Sequence, residues 1–318
     1  MEERERHVSG SEFKTFRRCR RKWMIEYVLR VTLPKPEAGA LGTGILSHAG
    51  LETITNGGTL DEAKLKIKSV LGDTIESLAD LPPEVFGHAV ESWTAAADDA
   101  QNYVTGYVEW LEDSGADQRY ETYGAEEELT MDLVEFEDHE GNKTKWVLRG
   151  KLDRRAYDRF TEQHLFMDYK TCARFEDITE AAPRNEQFPT YELLLRHNYP
   201  DERCGSGVWR MLRKVKRAKD GDGEFYRDHQ ATYNDKMLDA LTLRYQLMAG
   251  EMHAIETFVK QGKWFVAYPN PTWSCAWDCP YRHECPMFDD GSRVEDAIKD
   301  MYVEFDPYAR YGELKGSD

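Results

Sequence analysis

The chain has 318 residues, 40% hydrophobic and 12% aromatic, which is enough apolar surface for a packed core in one large domain or two ordinary ones. Its formal net charge of −17 excludes a nucleic-acid-binding coat over the whole surface, so any contact with a polyanion must be local. It has no apolar run of about 18 residues, and MEERERHVSG lacks the apolar stretch of a secretory signal; the expected location is a cytoplasm, away from membranes.

Taken in chain order, Ser9 or Ser11 can cap a helix reaching about Arg30, with Phe13, Phe16, Trp23 and Tyr27 near helical spacing and Cys19 inside it. The basic cluster FRRCRRKW (Phe16 to Trp23) lies on that helix. In LGTGILSHAGLETI, Leu41, Ile45, His48 and Leu51 fall close to one helix face, which points His48 inward or into a cleft. Helical patterns follow over about 60–78 and 88–112. Near Tyr120 the period changes, and ETYGAEEELTMDLVEF, TKWVLRGKLDRRAYD and QHLFMDYKT read as strands, the first two joined by the turn-forming EDHEGNK. A helix over QFPTYELLLRHN comes next, then a short basic strand at about 207–216, a long helix at about 234–261 and a strand over WFVAYPNP.

Helices on both sides of a small mixed sheet make the class α/β or α+β. The expected organisation is a single domain over 1–288: a helical part at about 9–115, a catalytic sheet at about 120–216, and a C-terminal helix with a cysteine cluster at about 232–288. Residues 289–318 read as an acidic, weakly patterned tail.

The chemistry concentrates in one hairpin. If its turn is centred between Phe160 and Thr161, Asp153 falls directly opposite Asp168. Side chains so opposed have Cβ atoms roughly 4.5–5.5 Å apart, where two like charges are destabilising unless a cation sits between them. Lys170 projects from the same strand face as Asp168, about 6–7 Å further on. Gln187 and Tyr191, four apart, share a face of the following helix. Carboxylates suit hard cations such as Mg²⁺, which keep coordination positions for phosphate.

The series GKLD, MDYKT and QFPTY, with His48 upstream, resembles the PD-(D/E)XK nuclease superfamily in its RecB-like branch. The resemblance implies a restriction-endonuclease-like core with a helical insertion. It makes His48, Asp153 and Asp168 the ligands of Mg²⁺ or Mn²⁺, Lys170 the residue that orients or activates water, and Gln187 and Tyr191 a supporting pair in the active site. Many relatives add an acidic residue on the preceding strand, a place offered here by Glu126, Glu127 and Glu128, among which alternation cannot choose.

Of the six cysteines, Cys275, Cys279 and Cys285 crowd into eleven residues and read as metal ligands. Cys19, Cys172, Cys204 and His283 are candidates for a fourth, and spacing selects none of them. The same resemblance selects Cys19: AddB and the CRISPR-adaptation exonucleases place one cysteine before the nuclease core and three after it, around a [4Fe-4S] cluster that would clasp the chain's ends. Zinc is the alternative, and Cys172 and Cys204 are left as free thiols.

The implied function is a metal-dependent DNA exonuclease of recombination, repair or phage DNA processing, acting on single-stranded DNA with 5′ to 3′ polarity, with endonuclease activity in some relatives. The alternative is a non-catalytic subunit that binds DNA ends for a recombination or CRISPR spacer-acquisition partner. Arg17, Arg18, Arg210, Arg213, Lys214 and Lys216 are the candidate DNA contacts.

Overall fold

The computed structural model describes residues 3–137, 141–215 and 224–311. In chain order its strands are β1 (Glu3–Ser9), β2 (Val31–Thr32), β3 (Tyr120–Glu137), β4 (Lys143–Asp158), β5 (Gln163–Cys172), β6 (Cys204–Arg213), β7 (Tyr226–Ala231) and β8 (Val303–Glu304). The helices are α1 (Gly10–Arg18), α2 (Arg20–Trp23), α3 (Gly39–Thr55), α4 (Leu60–Ser77), α5 (Pro83–Ser114), α6 (Phe175–Thr179), α7 (Gln187–Asn198), α8 (Asp235–Lys260) and α9 (Val294–Met301). Among the described residues, no helix is long and apolar enough to cross a membrane.

The chain divides into two compact units, the first made of Met1–Pro34, Thr130–Gly150 and Asp235–Asp318, the second of Lys35–Leu129 and Lys151–Asn234. The first unit pairs β1 in parallel with residues 143–149 of β4, and β2 with β8 antiparallel. Ser9 caps α1 by accepting from the Glu12 backbone N–H. α1 then packs on α8 through Phe13 and Tyr245, whose rings stack at 4.2 Å. The helix expected to enclose Cys19 breaks there: Cys19 is extended (φ −163°, ψ 115°) between α1 and α2. Three further expectations are corrected. WFVAYPNP is no strand but a 3₁₀ turn over Trp264–Val266 followed by irregular chain. The acidic segment after Asp289 folds into α9 and β8. The opening residues, unassigned by sequence, form β1.

The second unit is a mixed sheet flanked by helices. Residues 154–158 of β4 pair antiparallel with β5, β5 runs parallel to β6, and β6 pairs antiparallel with β7. Tyr169, Leu212 and Tyr226 of the sheet join a core with α3, α4 and α5, while Phe188 of α7 meets Phe166 and stacks on Trp209 at 3.6 Å. The buried face of α3 is not the expected one. Leu41 and Ile45 are exposed, and burial falls on Gly42, Thr43, Leu46, Ser47, Gly50 and Leu51. A Cβ on Gly50 would stand 2.8 Å from Ile67 Cδ1 and 3.0 Å from Val104 Cγ2, so the small residues set how closely α3 approaches α4 and α5.

Candidate active site

The β4–β5 hairpin ladder runs from Asp158↔Gln163 to Arg154↔Met167, and the next step along the same register sets Asp153 against Asp168. At that step a side chain takes over from the ladder: Asp153 Oδ2 accepts the Tyr169 backbone N–H at 2.8 Å. Leu165, Phe166, Met167 and Tyr169 are all buried, which fixes the strand carrying both Asp168 and Lys170.

Around this pair the second unit assembles a connected set of polar groups. Lys170 Nζ lies 2.7 Å from Asp168 Oδ2. Gln187, in the first turn of α7, donates to Asp168 Oδ1 at 2.8 Å, and its amide nitrogen is 2.9 Å from the Tyr191 hydroxyl one turn on. From α3, His48 Nδ1 approaches Asp153 Oδ2 at 3.4 Å.

Glu126 is the acidic residue of β3 that arrives beside them. Its backbone is left-handed (φ 53°), rare for a residue with a Cβ, and Lys151 Nζ holds its carboxylate at 2.7 Å. Glu127 turns elsewhere, accepting from Arg155 Nε at 2.8 Å and from the Tyr199 hydroxyl, and Glu128 is exposed. The period-two reading could not separate the three because the left-handed residue interrupts the alternation.

The charges are tightly linked. Burial opposes a proton on His48, yet Asp153, with help from Asp168, holds its imidazole up at about 9. Burial likewise opposes the Asp153 anion, but His48 and Lys170 keep that carboxyl below its ordinary range. Asp168 goes the other way, raised by burial and by Asp153 despite Lys170. Burial also raises Glu126, an effect that Lys151 opposes and Asp153 and Glu52 add to.

One ligand atom each from His48, Glu126 and Asp153 lies within 4.8 Å of the other two. Two carboxylates and an imidazole converging on one point fit a hard divalent cation of the Mg²⁺ or Mn²⁺ type. A sequence profile of the PD-(D/E)XK nuclease superfamily matches residues 7–286, most of the chain.

The chain belongs to the PD-(D/E)XK nuclease superfamily. As a PD-(D/E)XK protein it is a nuclease by family, of a kind that usually works with Mg²⁺ or Mn²⁺ and takes DNA as substrate. No curated protein matches it. A solved structure titled "Crystal structure of SSO0001" is similar at 13% identity and a TM-score of 0.30, over 69% of this chain and 95% of that one.

The remaining expected residues of this PD-(D/E)XK chain separate into groups. In the first unit, Cys279 lies near Cys19 and Cys275, and Cys285 near Cys19 and Cys279. Burial pushes the Cys279 thiol up, a backbone hydrogen bond at Tyr281 opposing it and Cys19 and Cys275 adding to it; burial also raises Cys285, against the Arg21 guanidinium and with smaller help from Cys19 and Cys279. Arg21 is buried behind them and donates to the Cys285 carbonyl at 2.6 Å, to both Asp289 oxygens at 2.8 Å and to the Ala267 carbonyl at 3.1 Å. Among the expected DNA contacts, Arg17 and Arg18 are exposed, and Arg18 pairs with Asp278.

Arg210 is corrected. It is fully buried, donating from Nε and Nη2 to the two Asp228 oxygens at 2.9 and 2.8 Å and from Nη1 to the Tyr107 hydroxyl at 3.0 Å, with Nη1 also paired to Asp117. A guanidinium so enclosed cannot reach a phosphate, and removing it would leave the part-buried Asp228 without its bidentate partner while Asp117 kept Arg154 at 2.8 Å. Arg213 and Lys214 are half-buried, while Lys216 lies outside the described residues.

Proposed function

We propose that this protein is a Mg²⁺- or Mn²⁺-dependent DNA exonuclease of the RecB-like branch. The observation that supports it is the convergence of His48, Glu126 and Asp153 beside an Asp168–Lys170 pair. His48, Glu126, Asp153 and Asp168 would hold the cation, which supplies positive charge next to the scissile phosphate's oxygens. Lys170 would hold or deprotonate the attacking water, and Gln187, tied to Tyr191, keeps Asp168 oriented toward it. Arg17, Arg18, Arg213 and Lys214 would contact the DNA backbone. The resemblance in sequence supports single-stranded DNA and 5′ to 3′ polarity, and the completeness of the constellation favours catalysis over an end-binding accessory role.

The resemblance in sequence, with Cys275, Cys279 and Cys285 close together in the chain, supports a [4Fe-4S] cluster completed by Cys19, with zinc as the other thiolate-bound metal to test. End-labelled single strands incubated with Mn²⁺ should shorten from the 5′ end. Lys170→Ala should lower the rate by about 10²–10⁴-fold and leave DNA affinity unchanged. Undiminished cutting by that variant, or no cutting by the natural chain, would overturn the assignment. Metal analysis of anaerobically purified protein decides between iron–sulfur and zinc.

A further inference from the structure

Three of the chain's tryptophans, Trp23, Trp146 and Trp209, are completely buried, yet Trp273 is 81% exposed and Trp277 61%. These two lie on the loop carrying Cys275 and Cys279, with ring centroids 5.2 Å apart and planes inclined at 43°. Thr272 holds the loop's shape, its backbone N–H directed at Cys275 Sγ at 3.4 Å and its hydroxyl 2.8 Å from that of Ser274. Two more exposed aromatics, Phe265 and Tyr268, precede them. Large aromatic faces left open to water in a cluster mark a place where something binds.

The charge around the cluster says what. Lys14, Arg17, Arg18, Arg20 and Lys22 occur within one short acid-free stretch of a chain whose net charge is −17, Arg20 and Lys22 there also meeting Glu251 and Glu26, while Arg21 is buried against Asp289. That stretch is fastened to the aromatic loop at several points. Arg18 pairs with Asp278, next to Trp277. Asn270 donates to the Arg18 carbonyl at 3.2 Å, and the Arg20 guanidinium lies over the Tyr268 ring at 4.8 Å. On the other side of Trp277, the exposed Arg282 donates to the Ala276 carbonyl at 2.8 Å. Open aromatic faces between guanidinium groups match the two parts of a single-stranded nucleic acid: bases to stack and phosphates to neutralise.

We infer that Trp273 and Trp277 form a base-stacking site for unpaired nucleic acid, with Arg18 and Arg282 placed for the adjoining phosphates. The inference rests on nucleic acid being the substrate, and it concerns binding outside the catalytic carboxylates. Because every base offers a π-face, the site would be tolerant of sequence and selective against duplex, whose bases are already stacked.

The test is binding of a labelled oligo(dT) to the full chain, purified anaerobically, without added divalent metal so that nothing is cut. An abasic strand of equal length and the corresponding duplex serve as comparisons. Oligo(dT) should quench tryptophan fluorescence saturably and bind more tightly than either comparison. Trp273→Ala with Trp277→Ala should weaken oligo(dT) by about 5- to 100-fold and leave the abasic strand unaffected, and tyrosine at both positions should restore most of the loss.

Equal affinity of the natural chain for oligo(dT) and the abasic strand would overturn the inference, a result that does not depend on any variant folding. A tryptophan-to-alanine effect on oligomeric mass alone would overturn it too, by assigning the patch to a second copy of the chain. Absence of Mn²⁺-dependent cleavage alongside tryptophan-dependent binding would defeat the catalytic proposal and leave this one standing.

Discussion

Held up at about 9 by Asp153, the His48 imidazole carries its proton at neutral pH with Nδ1 facing Asp153, and a cation that draws on both residues must displace that proton. Since the raised value means the proton is bound at neutral pH, Mn²⁺ affinity should weaken as pH falls, by up to about tenfold per unit below 9. Calorimetry in two buffers of different ionisation enthalpy should count a released proton, and His48→Asn should flatten the pH dependence; a flat profile for the natural chain would remove His48 from the cation's ligands. The carboxylate pair beside it was legible because a hairpin is symmetric about its turn, so the register follows from the turn's position. Glu126 was not, because one residue at φ 53° defeats the alternation by which a strand is read.

Gly207 shows how one element sets the position of another. A Cβ there would meet Phe166 Cζ at 2.4 Å and Phe188 Cδ2 at 2.5 Å, and Phe188 cannot give way because it is stacked on Trp209. Gly207→Ala should therefore cost about 1–3 kcal/mol in urea unfolding and move α7, which carries Gln187 and Tyr191. Cleavage should fall in the same variant although no group near the phosphate has changed; unaltered stability would refute the packing account. The long helices were legible from their periodicity, and α4, α5 and α8 lie within a few residues of expectation. The packing face of α3 was misread because Gly42 and Gly50 bury backbone rather than side chain. Arg210 was misread because its partners Asp117 and Asp228 are distant in sequence, which made a run of cations look like a surface.

At the scale of the molecule, a metal centre on the four cysteines would join the two ends of the chain within the first unit, and closing so long a loop would favour the folded state through the entropy it removes from the unfolded one. If the four thiols hold one metal centre, they act as one constraint. Cys19→Ser and Cys275→Ser should each lower the melting temperature and the metal content, and the double variant should do no more than either alone. Additive losses would mean four independent thiols. The sequence displayed three of these residues as a cluster; the fourth, Cys19, needed the resemblance, because a helix drawn through it hides the break at which it stands.

The way the two units share the chain also orders events during synthesis. The second unit ends at Asn234, whereas the first is waiting for α8 and for everything after it. At about 5–20 residues per second, the ribosome needs roughly 2–8 s to go from Asn234 to Cys275. For that interval a nascent chain already contains Cys19 and every residue from His48 to Tyr191 but lacks Cys275, Cys279 and Cys285, so premature termination there would release the proposed site without the three C-terminal thiols of the proposed metal centre.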